Sequence, residues 1–279
     1  MSRYLKKIKS RFRAFLVLIL YLSHKLFSSI GKKKSTNDLG KTRVILFHHV
    51  DSYRKFRRIV KRTSRLYNCI SFEDWLNGNV AKHKINIIIA FDDGYESWYT
   101  NAFPVLKEFS IKPLMFINSS FIDSTESSSY KFCKDKIGTW AENSLTAAQL
   151  LEMSEYGCQI GSHTANHIDM LKSNYEKCSF EIASDVNNIS KFLDFDVDLF
   201  AYPFGRVSDD ALNAVNNTAI NYAFCTESAF IEESKSRIML KRTNVGMRHP
   251  LVVSAYIEGY LDLFNSSYQI FKKRIRRVI

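Results

Sequence analysis

The stretch Asn86–Glu96, NIIIAFDDGYE, limits what this chain can fold into more than any other. Ile87, Ile88, Ile89, Ala90 and Phe91 make a short apolar run rich in β-branched residues. Such a run, closed by turn residues, reads as a strand buried on both faces, which belongs in a parallel sheet covered by helices. It ends in Asp92 and Asp93, with Gly94 next. Two carboxylates at the end of a buried strand are costly unless something pairs with them. A metal ion beside a free carboxylate is one solution, and a hydrolytic one. An Asp-Gly turn that only closes the strand is the other.

The surrounding chain supports an α/β domain. Its 279 residues suffice for one large domain with a sizeable core. Arg43–Val50 reads as the first strand, with alternation placing His48 on one face and His49 on the other. Phe56, Ile59, Val60, Thr63, Leu66 and Tyr67 recur at helical spacing. Further strands are expected over Pro113–Asn118, Cys158–Ser162, Leu199–Tyr202, Tyr222–Thr226 and Ile238–Leu240. Helices are expected over Ala102–Phe109, Tyr175–Leu193 and Asp209–Val215. Another opens on the capping box Thr146-x-x-Gln149 and stops at Gly157. The Ser-rich segment 119–144 reads as a loop over one rim. Strand and helix alternate throughout, the pattern of a mainly parallel sheet.

Charge divides the chain differently. The net charge is +12, yet residues 1–34 hold ten Lys/Arg and no acid, residues 54–65 hold seven, and residues 272–277 hold five. The remainder is net acidic. Basic patches confined in this way suit an anionic membrane surface rather than nucleic acid tracked along a whole fold. The apolar run Ala14–Leu22 within a basic segment is too short for a span of about 20 residues. It suits an interfacial helix or a short signal-anchor. Residues 1–40 therefore read as a membrane-associating segment and linker, 41–265 as the body, and 266–279 as a second basic amphipathic helix. Five well-separated cysteines without a CxxC point to free thiols in a reducing compartment. The expected location is the bacterial inner membrane, with the body on its cytoplasmic side.

Two further motifs follow the central strand. Gly161-Ser-His-Thr-Ala-Asn-His167 places His163 and His167 four apart. On a helical turn both imidazoles would face one metal; a lone H-x3-H is also often a structural pair. Phe200-Ala-Tyr-Pro-Phe-Gly205 ends a strand in an aromatic-Pro-aromatic turn, which suits a groove wall. FDDG, SHTANH and FAYPFG in this order, each closing a strand, resemble the NodB-homology polysaccharide deacetylases of carbohydrate esterase family 4. The likeness runs over roughly Val44–Val245.

The resemblance implies a distorted (β/α) barrel with fewer than eight strands and a site at their C-terminal ends. It implies Asp92 as general base and Asp93, His163 and His167 as ligands of one divalent ion, most often Zn²⁺. It implies the backbone N–H of Tyr202 as oxyanion donor, with Pro203 and Phe204 forming the groove wall. Two departures stand out. Ala201 takes the place of an Arg that orients the base, leaving Arg242 or Arg206 as substitutes. The family's late Leu-x-His, which carries the general acid, has no match, and His48 on the opening strand is the expected acid. The implied activity is N-deacetylation of an acetamido-sugar in a surface glycan or its lipid-linked precursor. A deformylase of a lipid-linked sugar and a non-catalytic glycan-binding protein are the alternatives.

Overall fold

The computed structural model describes residues 3–28 and 38–275, which fall into two compact units: 40–247, and the two chain ends taken together. In the first unit, β1 (Thr42–Phe47), β3 (Asn86–Asp93), β4 (Leu114–Ile117), β5 (Gln159–Ser162), β6 (Leu199–Ala201), β7 (Tyr222–Phe224) and β8 (Arg242–Asn244) form one parallel path in the order β7-β6-β5-β4-β3-β1-β8. The two-residue β2 (Asn68–Cys69) adds to β3 off this path. Leu240 bridges Phe224 on β7 while Arg242–Asn244 pair with β1, so one segment joins both ends of the sheet. The result is the distorted (β/α) barrel with seven strands on its path. The strand expected over Ile238–Leu240 is thus displaced. That segment contributes a single bridge, and the strand itself carries Arg242.

Every residue of β3 is buried, as its unbroken apolar run requires. Alternate residues of successive strands fill the interior: Val44 and Leu46, Ile88 and Ala90, Leu114 and Phe116, Leu199 and Ala201, then Phe224 and Leu240. Gly161 sits opposite Phe116 in register, and a Cβ there would meet the Phe116 ring at 2.7 Å and the Leu199 carbonyl at 2.8 Å. On the outer side, Phe200 and Tyr202 pack with Cys178 and Ile182 of α7 (Tyr175–Leu193) and Ala211, Ala214 and Val215 of α8 (Asp209–Asn216).

The capping box is present at the start of α6 (Ala147–Glu155), and Gly157 follows its end with φ 102°. The segment expected as a loop over 119–144 instead contains α5 (Glu126–Phe132) and a wider helical turn, Cys133–Ile137. Thr125 caps α5 through Ser128 N–H, and Phe132 stacks on Phe121. Those few apolar anchors were diluted by serines in the sequence. The cysteines are free, four of them buried.

The second unit contains α1 (Arg3–Ser28), α9 (Pro250–Ile257) and α10 (Tyr260–Ile275). Tyr260 packs edge-on against Tyr21 and its hydroxyl meets His24 Nδ1 at 2.6 Å. Lys25 pairs with Glu258 at 3.1 Å, and Arg248 donates to Ser10 Oγ. The boundary expected at 265/266 falls inside α10, whose helix starts at Tyr260. The linker read over 32–40 lies outside the described residues up to position 37, as do Arg276–Ile279 of the basic C-terminal helix.

Candidate active site

The interior alternation continues past the apolar layers and reaches polar residues at the C-terminal rim. Ile88 and Ala90 lead to Asp92, Leu114 and Phe116 to Asn118, Gly161 to His163, and Leu240 to Arg242. Asp92, Asp93, His163, His167, His48 and His49 all line a cavity of about 290 Å³, with Phe204, Tyr95, Thr226 and Asn244 around them.

Asp93 follows an inward residue, so alternation alone would aim it outward. Its φ of 99° breaks the strand geometry, a conformation rare for any residue but glycine. The Tyr95 hydroxyl donates to Asp93 Oδ2 at 2.8 Å. Asp93 Oδ1 is buried without a hydrogen-bond partner, 3.4 Å from His167 Nε2 and 3.7 Å from His163 Nε2. His163 Nδ1 lies 2.6 Å from the Ala201 carbonyl, and His167 Nδ1 lies 3.3 Å from the Lys136 carbonyl. A carbonyl only accepts, so each Nδ1 carries the proton and each Nε2 presents a lone pair toward Asp93. One carboxylate oxygen and two imidazole nitrogens within 4.8 Å of one another fit a divalent cation. The orphaned Oδ1 is the group such a cation would satisfy.

The His pair is not on a helical turn. Residues 163–167 form an irregular loop in which Thr164 and His167 have φ of 63° and 50°. The loop is held by its neighbours instead. Asp185 on α7 accepts from Ser162 Oγ at 2.6 Å, His163 N–H at 3.0 Å and Ser119 N–H at 2.7 Å. Asn118 Nδ2 donates to the carbonyls of His163 and Thr164. Glu181, one turn before Asp185, accepts from the Asn166 N–H and side-chain amide. The clamp was legible in part: Asp185 interrupts the buried stripe Cys178, Ile182, Ile189 and Leu193 of α7.

Asp92 has a different partner. Arg242 Nη1 and Nη2 donate to its two oxygens at 2.6 and 2.9 Å, a bidentate pair in a fully buried setting. The guanidinium lies over the rings of Phe116 and Phe224. Arg206 instead pairs with Asp169 at the surface. The Asp92 charge is therefore matched by a fixed cation, while Asp93 has none.

Two expectations are corrected here. The Tyr202 N–H donates to the Phe224 carbonyl in the β6–β7 ladder, and its hydroxyl donates to the Ile238 carbonyl. It is therefore not available to a substrate. Among the described residues, the next N–H in the turn, that of Phe204, has no acceptor, and Phe204 lines the cavity at φ 59°. Pro203 is buried beneath it and lacks an N–H. Alternation also fails to separate the histidines, because β1 stops at Phe47 and both His48 and His49 line the cavity. His49 Nδ1 is engaged by Glu142 at 2.8 Å and by Ser97 Oγ at 3.3 Å.

Burial lowers His163 from 6.5 to about 4, against the pull of the neighbouring carboxylates, so the imidazole is neutral at neutral pH. Burial alone would raise Asp93, but the adjacent imidazoles, that of His167 first, hold it well below the usual carboxylate range. The sign for stability follows from His163. The unfolded group takes up a proton below about pH 6.5, whereas the folded one resists until about 4. Its contribution is complete above pH 6.5 and is lost as the pH falls, by about 2 kcal/mol at pH 5 for metal-free protein. Thermal melting of chelator-treated protein at pH 7 and pH 5 checks this, and His163→Gln should lose less on acidification than the parent chain.

A sequence profile for polysaccharide deacetylases matches residues 79–223, just over half of the chain. A poly-β-1,6-N-acetyl-D-glucosamine N-deacetylase of Staphylococcus epidermidis is 27% identical over 168 residues, covering 57% of this chain and 54% of that protein. The enzyme of the same name from Staphylococcus aureus is 24% identical over the same shares. The chain spans about half the length of the curated relatives it matches. Among solved structures, IcaB from Ammonifex degensii superposes with a TM-score of 0.66 at 20% identity, over 78% of this chain and 97% of that one. The BpsB deacetylase domain from Bordetella bronchiseptica superposes at 0.63 and 17%, over 77% and 98%. Likeness at this level of identity speaks for the fold.

Proposed function

The chain belongs to the polysaccharide deacetylase family, and we propose that it hydrolyses the N-acetyl group of an acetamido-sugar in a glycan, releasing acetate and leaving a free amine. The observation that carries this reading is the unpartnered, buried Asp93 Oδ1 facing two imidazole Nε2 atoms, beside a second carboxylate held by Arg242. Asp93, His163 and His167 would hold one divalent ion, and the mixed nitrogen and oxygen set suits Zn²⁺. When bound, the ion supplies Lewis acidity toward the acetamide carbonyl.

The remaining roles fall to the protein's own groups. Asp92, ionised and fixed by Arg242, takes a proton from the attacking water. The new C–O bond forms at the carbonyl carbon, and the Phe204 N–H donates to the oxygen as it gains charge. The C–N bond then breaks, and His48 gives its proton to the departing nitrogen. Phe204, half exposed on the cavity wall, offers an apolar face to the sugar ring. The names of the staphylococcal relatives support a polymer of N-acetylglucosamine as substrate. The basic chain ends support a lipid-linked precursor as the alternative form.

The test supplies metal-loaded protein with β-1,6-linked N-acetylglucosamine oligomers, N-formylated analogues and lipid-linked N-acetylated sugar. Primary amine and acetate should appear one to one from an N-acetylated substrate. Formate release alone would favour the deformylase, and binding without release would favour the glycan-binding protein. In the same assay His48→Ala should lower turnover roughly 10²–10⁴-fold, and His49→Ala much less. The reverse ranking would move the acid role to His49 and its Glu142 partner.

A further inference from the structure

The terminal unit carries an apolar face that its own packing leaves uncovered. Ile8, Phe12, Phe15, Ile19, Leu22 and Leu26 of α1 are all exposed, Phe12, Phe15 and Leu26 to more than half of their surface. Their spacing alternates four and three, so they lie along one side of the helix over about 27 Å. Val17 and Tyr21 are buried on another side, where Tyr21 meets Tyr260. The exposed row is therefore not the face that holds the unit together. Leaving six large apolar side chains partly in water is unfavourable relative to burying them.

Length and charge decide what covers this row. No described helix is long and apolar enough to cross a membrane. An in-plane position is left, with the row sunk to the level of the acyl chains. A second copy of α1 is the competing occupant, because alternate spacing of three and four also suits a two-helix seam. Charge argues against it. Residues 1–34 hold ten Lys/Arg and no acid, so two copies of this segment bring like charge together in either direction. An anionic leaflet complements the same charges. Exposed Lys9 and Arg11 sit beside Ile8 and Phe12, where such a surface would meet them.

We propose that the Ile8–Leu26 row of α1 docks in the plane of an anionic phospholipid surface. This docking is independent of the deacetylase reading, since it concerns residues outside the barrel.

Flotation of the purified full-length chain with vesicles tests it. Wild type should float with phosphatidylcholine vesicles containing phosphatidylglycerol, and much less with phosphatidylcholine alone or at high salt. Phe15→Ser with Ile19→Ser removes apolar surface without altering charge, and should weaken vesicle binding at least about tenfold. Because both positions are exposed, its circular dichroism and amine-release activity on soluble oligomers should match wild type. Equal flotation of the double variant would overturn the proposal. So would a wild-type dimer in solution that the double variant splits, which would assign the row to a second copy. Failure of wild type to float with either vesicle would overturn it as well.

Discussion

Asp92→Asn should lower turnover by roughly 10²–10⁴-fold while leaving bound metal in place. The amide of Asn cannot accept the proton that the attacking water must lose, so the loss falls on the chemical step rather than on substrate affinity. Metal should remain because Asp92 Oδ2 lies 4.0 Å from His163 Nε2 and is held by Arg242, whereas Asp93 Oδ1 is the oxygen nearer both imidazoles. The substitution also leaves the buried Arg242 guanidinium without its counter-charge. Breaking one partner of a buried pair costs about 3–5 kcal/mol, so the melting temperature should fall as well. Arg242→Met separates the two effects. It retains the carboxylate base but removes the fork that aims it, and should reduce turnover less than Asp92→Asn. A near-wild-type rate in Asp92→Asn would remove Asp92 from the role of base.

Substitution of a metal ligand should be comparably severe for a different reason. Asp93→Asn removes the only carboxylate among the three candidate ligands, and His167→Ala removes one of two imidazoles. Loss of the groups that merely support such ligands weakens metal affinity by about 10–100-fold, and loss of a ligand itself should exceed that. Turnover should fall with occupancy and recover in part at high metal concentration. Asp93→Asn is nearly isosteric, and Tyr95 can still donate to the side-chain oxygen, so the fold should persist. Retention of full metal content in both variants and in His163→Ala would contradict the ligand assignment.

Much of this site could be read from the chain because strand periodicity carries it. Asp92 lies two residues beyond Ala90 on β3, and that spacing suffices to place its carboxylate inside the barrel. Arg242 as partner of Asp92 was open to inference from its place just beyond the apolar segment Ile238–Leu240, although that segment contributes a single bridge and the strand begins at Arg242 itself. What was hidden depends on backbone geometry that breaks periodicity. The φ of Asp93, the left-handed residues of the 163–167 loop and the turn at Phe204 leave no apolar pattern in the sequence. The Tyr202 N–H was misassigned for a related reason: whether an N–H is free depends on a partner strand, here Phe224, about twenty residues away. Likewise Tyr95, Asn118 and Asp185 act on the site through contacts that only the folded barrel creates.

If Asp93, His163 and His167 hold one ion without which the amide is not cleaved, as proposed, occupancy of that site should govern turnover. Titration of Zn²⁺ into chelator-treated protein, with amine release followed in parallel, tests it most directly. Activity should rise from near zero and level off at one equivalent per chain, with Asp93→Asn showing no such break. Full amine release by the metal-free protein, or an unchanged titration in Asp93→Asn, would contradict it.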